Sequence, residues 1–243
     1  MLSCSRLSGP TLACSPLPRP ALPARRDPDV FAHNMVAQVT DHYLDAIGNL
    51  DAQPVVIGHS FGGLIAQRLA GTGASAVTVA IDPAPFRGVL PLPLSSLKSA
   101  SPVLHNPANS RRSVLLTFEQ FRYGWANALT DEEAHELYED FHVPASGVPL
   151  FEAATANLNP FTDVKVDTLN PDRGPLLIIS GEKDHTVPWE IANASFKRQQ
   201  KNPSLTEIIE MSNRGHSLTI DHGWREVAET ALEFVQRNHH TAR

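Results

Sequence analysis

The chain has 243 residues, 42% of them hydrophobic, a length and composition that suit one domain with a substantial core. Its 20 basic and 26 acidic side chains give a formal net charge of −6, so we do not expect nucleic acid to be a partner. No apolar run approaches the roughly 20 residues of a membrane helix, and both cysteines, Cys4 and Cys14, lie near the start, so we expect a soluble cytoplasmic protein outside the membrane.

The start of the chain differs in composition from the rest. Residues 1–26 contain four arginines and five prolines but no acidic residue. This bias is typical of a disordered tail, and the segment lacks the continuous apolar stretch of a secretory signal. We predict a disordered tail over residues 1–29 and one folded domain over residues 30–243. An organelle transit peptide is the alternative, although the prolines would interrupt its amphipathic helix.

A helix, a strand and a second helix are predicted next. Apolar residues recur every four positions over residues 31–47, which predicts an amphipathic helix. The β-branched run at residues 55–57 is too short for a buried helix and predicts a covered parallel strand. It leads directly into the sequence Gly-His-Ser-Phe-Gly at residues 58–62. Residues 64–70 are rich in helix formers, so the pattern is strand, sharp turn and helix.

The rest of the chain predicts an α/β fold with a parallel β-sheet flanked by helices. Further strands are expected at residues 76–81, 176–180 and 206–211, with a last helix near residues 224–235. Strands separated by helical stretches indicate parallel βαβ units. The segment between them at about residues 84–174 has little strand character and includes a capping box at Thr130 and Glu133. We therefore expect a helical cap inserted between two core strands.

The expected cap is rich in aromatic residues. Among them, Phe121 and Trp125 are our candidates for substrate-binding residues, because aromatic surface can line an apolar pocket. The alternative is that these rings only pack the cap against the core.

The turn at residues 58–62 has the features that a nucleophilic serine needs. A serine hydroxyl must stand clear of the backbone and lie beside a base that takes its proton. We expect Gly58 and Gly62 to be required because side chains there would collide with flanking elements. The pattern predicts Ser60 as the nucleophile. The alternative is a glycine-rich turn without a catalytic role.

The base and the acid are predicted from their places after later strands. His216 lies between the last predicted strand and the last helix, which favours it as the general base over a loop histidine. Asp184 follows the strand at residues 176–180, from which a carboxylate can reach the histidine. Asp82, at the end of the strand at residues 76–81, is the alternative acid.

Three motifs in this order, at residues 58–63, 181–188 and 215–217, resemble those of cap-bearing, esterase-like members of the α/β-hydrolase family. The resemblance runs from about residue 30 to the C-terminus. It implies that His216 accepts the proton of Ser60, that Asp184 orients the imidazole, and that the backbone N–H of Phe61 belongs to the oxyanion hole. It suggests hydrolysis of an ester, thioester or related acyl bond of a small apolar substrate through an acyl-enzyme, and implies no metal or organic cofactor.

The sequence also departs from this family. No His-Gly dipeptide, which often marks the second oxyanion donor, precedes Ser60. Family members usually have several strands ahead of this turn, whereas only a proline-rich start and one predicted helix precede the strand at residues 55–57 here. We therefore expect the first part of the fold to be incomplete, and the strand at residues 55–57 to have an exposed edge that promotes self-association. Two other functions stay open: a lyase or condensation step in natural-product biosynthesis, and a non-catalytic hydrolase-like binding protein.

Overall fold

A computed structural model describes Asp27 and residues 32–239 of the chain. The tail predicted over residues 1–29 therefore lies outside the described residues, apart from Asp27. Within residues 32–239 there are eight α-helices and six strands. No helix in this part of the chain is both long and apolar enough to span a membrane.

The helices and strands that the sequence predicts occur in the predicted order, together with further elements. The helices are α1 Val36–Gly48, α2 Phe61–Gly71, α3 Leu94–Leu104, α4 Phe118–Gly124, α5 Asp131–Phe141, α6 Val148–Thr155, α7 Trp189–Gln199 and α8 Trp224–Asn238. The strands are β1 Val55–His59, β2 Val77–Ile81, β3 Ser113–Val114, β4 Ala145–Ser146, β5 Leu176–Gly181 and β6 Thr206–Met211. All four expected strands of the main sheet are present, whereas the two-residue strands β3 and β4 were not expected.

The main sheet confirms the predicted α/β class. Its strand order is β1-β2-β5-β6, and every neighbouring pair is parallel. All residues of the two central strands are buried, as continuous apolar sequences in a sheet covered on both faces should be. Because the strands are parallel, their carboxyl ends meet at one edge of the sheet.

The core lies on the two faces of this sheet, and side chains alternate between them. Val77, Val79, Leu177 and Ile179 point to one face and pack with Phe234 of α8. On the other face, Ala80, Leu176 and Ile178 form a cluster with Ala192 of α7. Full burial of a ring the size of Phe234 contributes about 2–3 kcal/mol of hydrophobic free energy.

The segment between β2 and β5 contains α3 to α6 and corresponds in the chain to the predicted cap at residues 84–174. It has its own apolar cluster, formed by Phe121, Ala126, Leu129, Ala134 and Leu137. The helix predicted from the capping box begins as expected, with Thr130 Oγ1 accepting the N–H of Glu133 at 3.2 Å. The Glu133 carboxylate does not complete the box, since it accepts the N–H of His222 instead at 2.7 Å.

Candidate active site

The turn between β1 and α2 consists of Ser60 alone. Its φ of 56° and ψ of −120° are costly for a residue with a side chain, and such strain persists only when the surroundings hold it. The N–H of Ser60 donates to Ile81 O at 2.9 Å, and its carbonyl accepts from the N–H groups of Gly63 and Ala84 at 2.9 and 3.0 Å. Hydrogen bonds to β2, α2 and the loop after β2 therefore fix this turn.

The glycines around Ser60 are not equally constrained. A Cβ atom on Gly58 would lie 2.0 Å from the carbonyl oxygen of Gly62, a separation that no real structure tolerates. A Cβ on Gly63 would approach Pro83 to 3.0 Å. By contrast, a Cβ on Gly62 would meet no described atom within 4 Å. The expected collision is therefore correct for Gly58 and wrong for Gly62, whose own Cα–H points to open space.

Ser60, His216 and Asp184 form a hydrogen-bonded chain. His216 Nε2 lies 3.0 Å from Ser60 Oγ, and His216 Nδ1 lies 2.6 Å from Asp184 Oδ2. The side chains of His216 and Asp184 are fully buried, and Ser60 is half-buried. With the Nδ1 proton donated to the carboxylate, Nε2 carries the lone pair that faces the serine hydroxyl.

The loop after β5 keeps Asp184 ionised. Its Oδ1 accepts the N–H groups of Thr186 and Val187 at 2.6 and 2.9 Å, in addition to the bond between Oδ2 and His216. Burial alone would raise the pKa of Asp184, but the charge and hydrogen bond of His216 and the two N–H groups together lower it below its usual value. A carboxylate with three donors can stabilise a positive charge on His216.

Asp82, the alternative acid, has a different environment. It is fully buried, and its Oδ1 accepts the N–H of Gly181 at 2.8 Å. Burial and the nearby charge of Asp184 raise the pKa of Asp82 well above its usual value, despite the Gly181 hydrogen bond. Asp184, rather than Asp82, is the carboxyl group that hydrogen-bonds His216.

Sequence reasoning missed His59 as a member of this cluster. Its ring centroid lies 4.7 Å from that of His216, and Trp125 packs edge-on against His216 at 4.6 Å. The residue is half-buried overall, but its Nε2 is enclosed and has no hydrogen-bond partner in the described part of the chain. Burial, followed by the charge of His216, lowers the pKa of His59 to about 3, so it is neutral near pH 7. Its position before Ser60 was the only sequence signal.

The other predicted site residues lie on either side of the serine. Phe61 is the first residue of α2, and its N–H has no acceptor among residues 32–239, as expected for the first N–H groups of a helix. Trp125 is half-buried beside His216. Phe121 is only 3% exposed and stacks on Trp125 at 6.3 Å, so it supports Trp125 from within the apolar cluster that it forms with Ala126, Leu129, Ala134 and Leu137.

One group of possible metal ligands occurs in the described residues. Ligand atoms of His59, Asp82 and His216 lie within 4.8 Å of one another. Both ring nitrogens of His216 already face hydrogen-bond partners, Ser60 and Asp184. A metal ion on His216 would have to break this chain, so we assign no metal to the cluster.

Comparisons with known proteins agree with this architecture. A sequence profile described as the alpha/beta hydrolase family matches residues 9–230. No curated protein matches the chain. Similar solved structures include a monoacylglycerol lipase of Paleococcus ferrophilus, with 21% identity over 83% of this chain and 74% of that chain and a TM-score of 0.54.

Two further structures have the same fold. A pyrethroid hydrolase of Sphingobium faniae shares 16% identity over 84% of this chain and 78% of its own, with a TM-score of 0.57. An extracellular α/β-hydrolase of a Paenibacillus species shares 19% identity over 82% and 79%, with a TM-score of 0.58. By its profile match, its parallel sheet and its strand-turn-helix motif, the chain belongs to the alpha/beta hydrolase family.

Proposed function

We propose that the protein is a serine hydrolase that cleaves an ester, thioester or related acyl bond of a small apolar substrate. The observation that carries this proposal is the hydrogen-bonded chain from Asp184 through His216 to Ser60, with distances of 2.6 and 3.0 Å. A nucleophile, a base and an orienting acid within hydrogen-bonding reach of one another are the geometry that acyl transfer requires.

In the proposed reaction, Ser60 Oγ attacks the carbonyl carbon while His216 Nε2 accepts the hydroxyl proton. Asp184 stabilises the imidazolium without taking its proton. The N–H of Phe61, at the positive end of α2, donates to the oxygen that becomes negatively charged. His216 then protonates the leaving group, and the acyl group stays on Ser60. A water molecule that loses a proton to His216 then attacks the acyl carbon, the bond to Ser60 Oγ breaks, and His216 returns the proton to Ser60 as the acid product leaves.

The surroundings of the serine support an apolar substrate. The half-buried ring of Trp125 packs against His216, and the half-buried Phe61 directly follows Ser60, so the residues beside the nucleophile and the base are apolar. Three structural neighbours are named a monoacylglycerol lipase, a pyrethroid hydrolase and an esterase, which agrees with acyl-bond hydrolysis.

Labelling with a fluorophosphonate probe tests the proposal, because only an activated serine reacts readily with it. We expect the protein to be labelled and to hydrolyse p-nitrophenyl esters of short acyl chains. Ser60→Ala should abolish both, while Ser101→Ala, at an exposed serine of α3, should retain both. A folded protein that is not labelled would instead support a hydrolase-like binding protein. Labelling without ester turnover would support lyase or condensation chemistry.

A further inference from the structure

A second buried carboxyl group lies behind the proposed acid. Asp82 directly follows β2, has a φ of 38°, and is completely inaccessible to solvent. Its Oδ1 accepts the N–H of Gly181, but its Oδ2 is enclosed and meets no hydrogen-bond donor in the described residues. The reaction proposed above gives this group no part.

The ionisable groups near Asp82 lie at the carboxyl ends of the other three strands of the main sheet, β1, β5 and β6. Asp184, in the loop after β5, lies near enough for its charge and a side-chain hydrogen bond to raise the pKa of Asp82. His59 at the end of β1 and His216 after β6 each bring a ring nitrogen within 4.8 Å. His59 is neutral because its pKa is lowered to about 3, so it does not compensate a charge on Asp82.

Two neighbouring carboxyl groups in a buried site cannot both be ionised without a large cost. The donors decide which one keeps the charge: Asp184 accepts three hydrogen bonds, from Thr186, Val187 and His216, whereas Asp82 accepts one. The negative charge therefore stays on Asp184, and the proton stays on Asp82. Burial and the charge of Asp184 both raise the pKa of Asp82, in agreement with this assignment.

We propose that Asp82 is a neutral carboxylic acid that donates a hydrogen bond to the Asp184 carboxylate, and so acts as a positioning residue for the acid of the active site. This inference rests on the proposed function. It explains why a buried Oδ2 without another partner is tolerated, since the atom carries a proton that needs an acceptor. It also limits the basicity of Asp184, because a further donor spreads its negative charge.

A pair of substitutions at Asp82 tests the proposal through the pH dependence of kcat/KM. Asp82→Asn keeps a donor of the same shape, changes no charge, and suits the positive φ. We expect the acidic midpoint of the profile, which reports His216, to stay within about 0.2 pH units. Asp82→Ala removes the donor, so Asp184 becomes more basic and the midpoint should rise by about 0.5 pH units or more.

Two other outcomes would overturn the proposal. If Asp82 were ionised, both substitutions would remove a negative charge close to His216, and both midpoints would fall by roughly 0.5 to 2 pH units. If Asp82 only filled space, neither midpoint would move.

A stability measurement tests the proton on Asp82 without any catalysis. An acid whose pKa is raised by folding makes the folded state less stable as the pH rises above its ordinary value of 3.8. Wild type should therefore lose Tm relative to Asp82→Asn between pH 4 and pH 8. A constant difference in Tm would refute the buried proton even for an inactive protein, so it separates failure of this inference from failure of the proposed function.

Discussion

Replacing Gly58 with alanine should damage the turn that carries Ser60. The new Cβ would lie 2.0 Å from the oxygen and 2.4 Å from the carbon of the Gly62 carbonyl. Both are backbone atoms of the first turn of α2, so no side-chain rotation can relieve the overlap. Restoring a contact of 3.0 Å requires a shift of about 1 Å between β1 and α2.

The expected losses of rate and stability follow from the displacement of Ser60 and of the N–H of Phe61. Ser60 and the N–H of Phe61 lie between the two overlapping groups, and a misplacement of about 1 Å can cost roughly a hundredfold in rate. Overpacking of this kind destabilises by about 1–3 kcal/mol. For a domain of this length the loss corresponds to a decrease in Tm of about 2–12 °C.

Gly62→Ala is the matched control for this prediction. It adds the same methyl group four residues away, within α2, where no described atom lies within 4 Å. Because alanine favours a helix over glycine by about 1 kcal/mol, we expect an unchanged or slightly higher Tm and near-normal turnover. Thermal unfolding and kcat/KM for a p-nitrophenyl ester should be measured for both variants. A Gly58→Ala variant with normal Tm and rate would refute the reasoning.

Three further predictions concern His59, Asp184 and the edge of the sheet. Folding lowers the pKa of His59 to about 3, so the free energy of unfolding should fall by up to about 1.4 kcal/mol for each pH unit below pH 6.5. Urea unfolding between pH 5 and pH 7 should show a smaller decrease for His59→Phe, which has no titrating group at this position. Asp184→Asn should lower kcat/KM by about 10³–10⁴-fold, whereas Glu182→Gln, at an exposed site, should not. Light scattering should detect self-association that Ile57→Lys weakens and Leu232→Lys, equally exposed, does not.

The last of these predictions depends on how β1 is paired. Within residues 32–239, β1 forms strand hydrogen bonds with β2 on one side only. Ile57, in the middle of β1, is 54% exposed, as is Leu232 on α8. An edge that presents unpaired N–H and C=O groups beside an apolar side chain can pair with another chain, and a lysine there opposes such pairing. A monomer at every concentration would refute the predicted self-association through β1.

Much of the fold could be predicted because local sequence and tertiary position agree. The runs that form the two central strands, β2 and β5, are short and apolar, and this composition fits strands that are covered on both faces. The parallel arrangement then brings the ends of distant strands together. It explains how Ser60 and His216, which are 156 residues apart in the chain, come to lie 3.0 Å from each other.

Other features depend on contacts that a linear pattern does not contain. Gly62 and Gly58 are equally far from Ser60 in the sequence. Only the three-dimensional structure shows that a side chain on Gly62 would point into open space, whereas one on Gly58 would meet the Gly62 carbonyl. Glu133 matches a capping box, but the loop before α8 brings His222 close enough to hydrogen-bond the Glu133 carboxylate in place of the helix backbone. Trp125 could have faced the core or the site, and its contact with His216 depends on how α4 packs.

The choice between the two acids is the most instructive case, because both follow a buried parallel strand. Asp82 is followed at once by Pro83, which has no N–H to donate, and its carboxyl group receives a single hydrogen bond, from Gly181. None of the three residues after Asp184 is a proline, and the N–H groups of Thr186 and Val187 donate hydrogen bonds back to its Oδ1. A buried carboxyl group is ionised where several hydrogen-bond donors converge on it, and it stays protonated where they do not. The residues that follow each aspartate, rather than its place in the strand order, therefore indicate which one holds the charge beside His216.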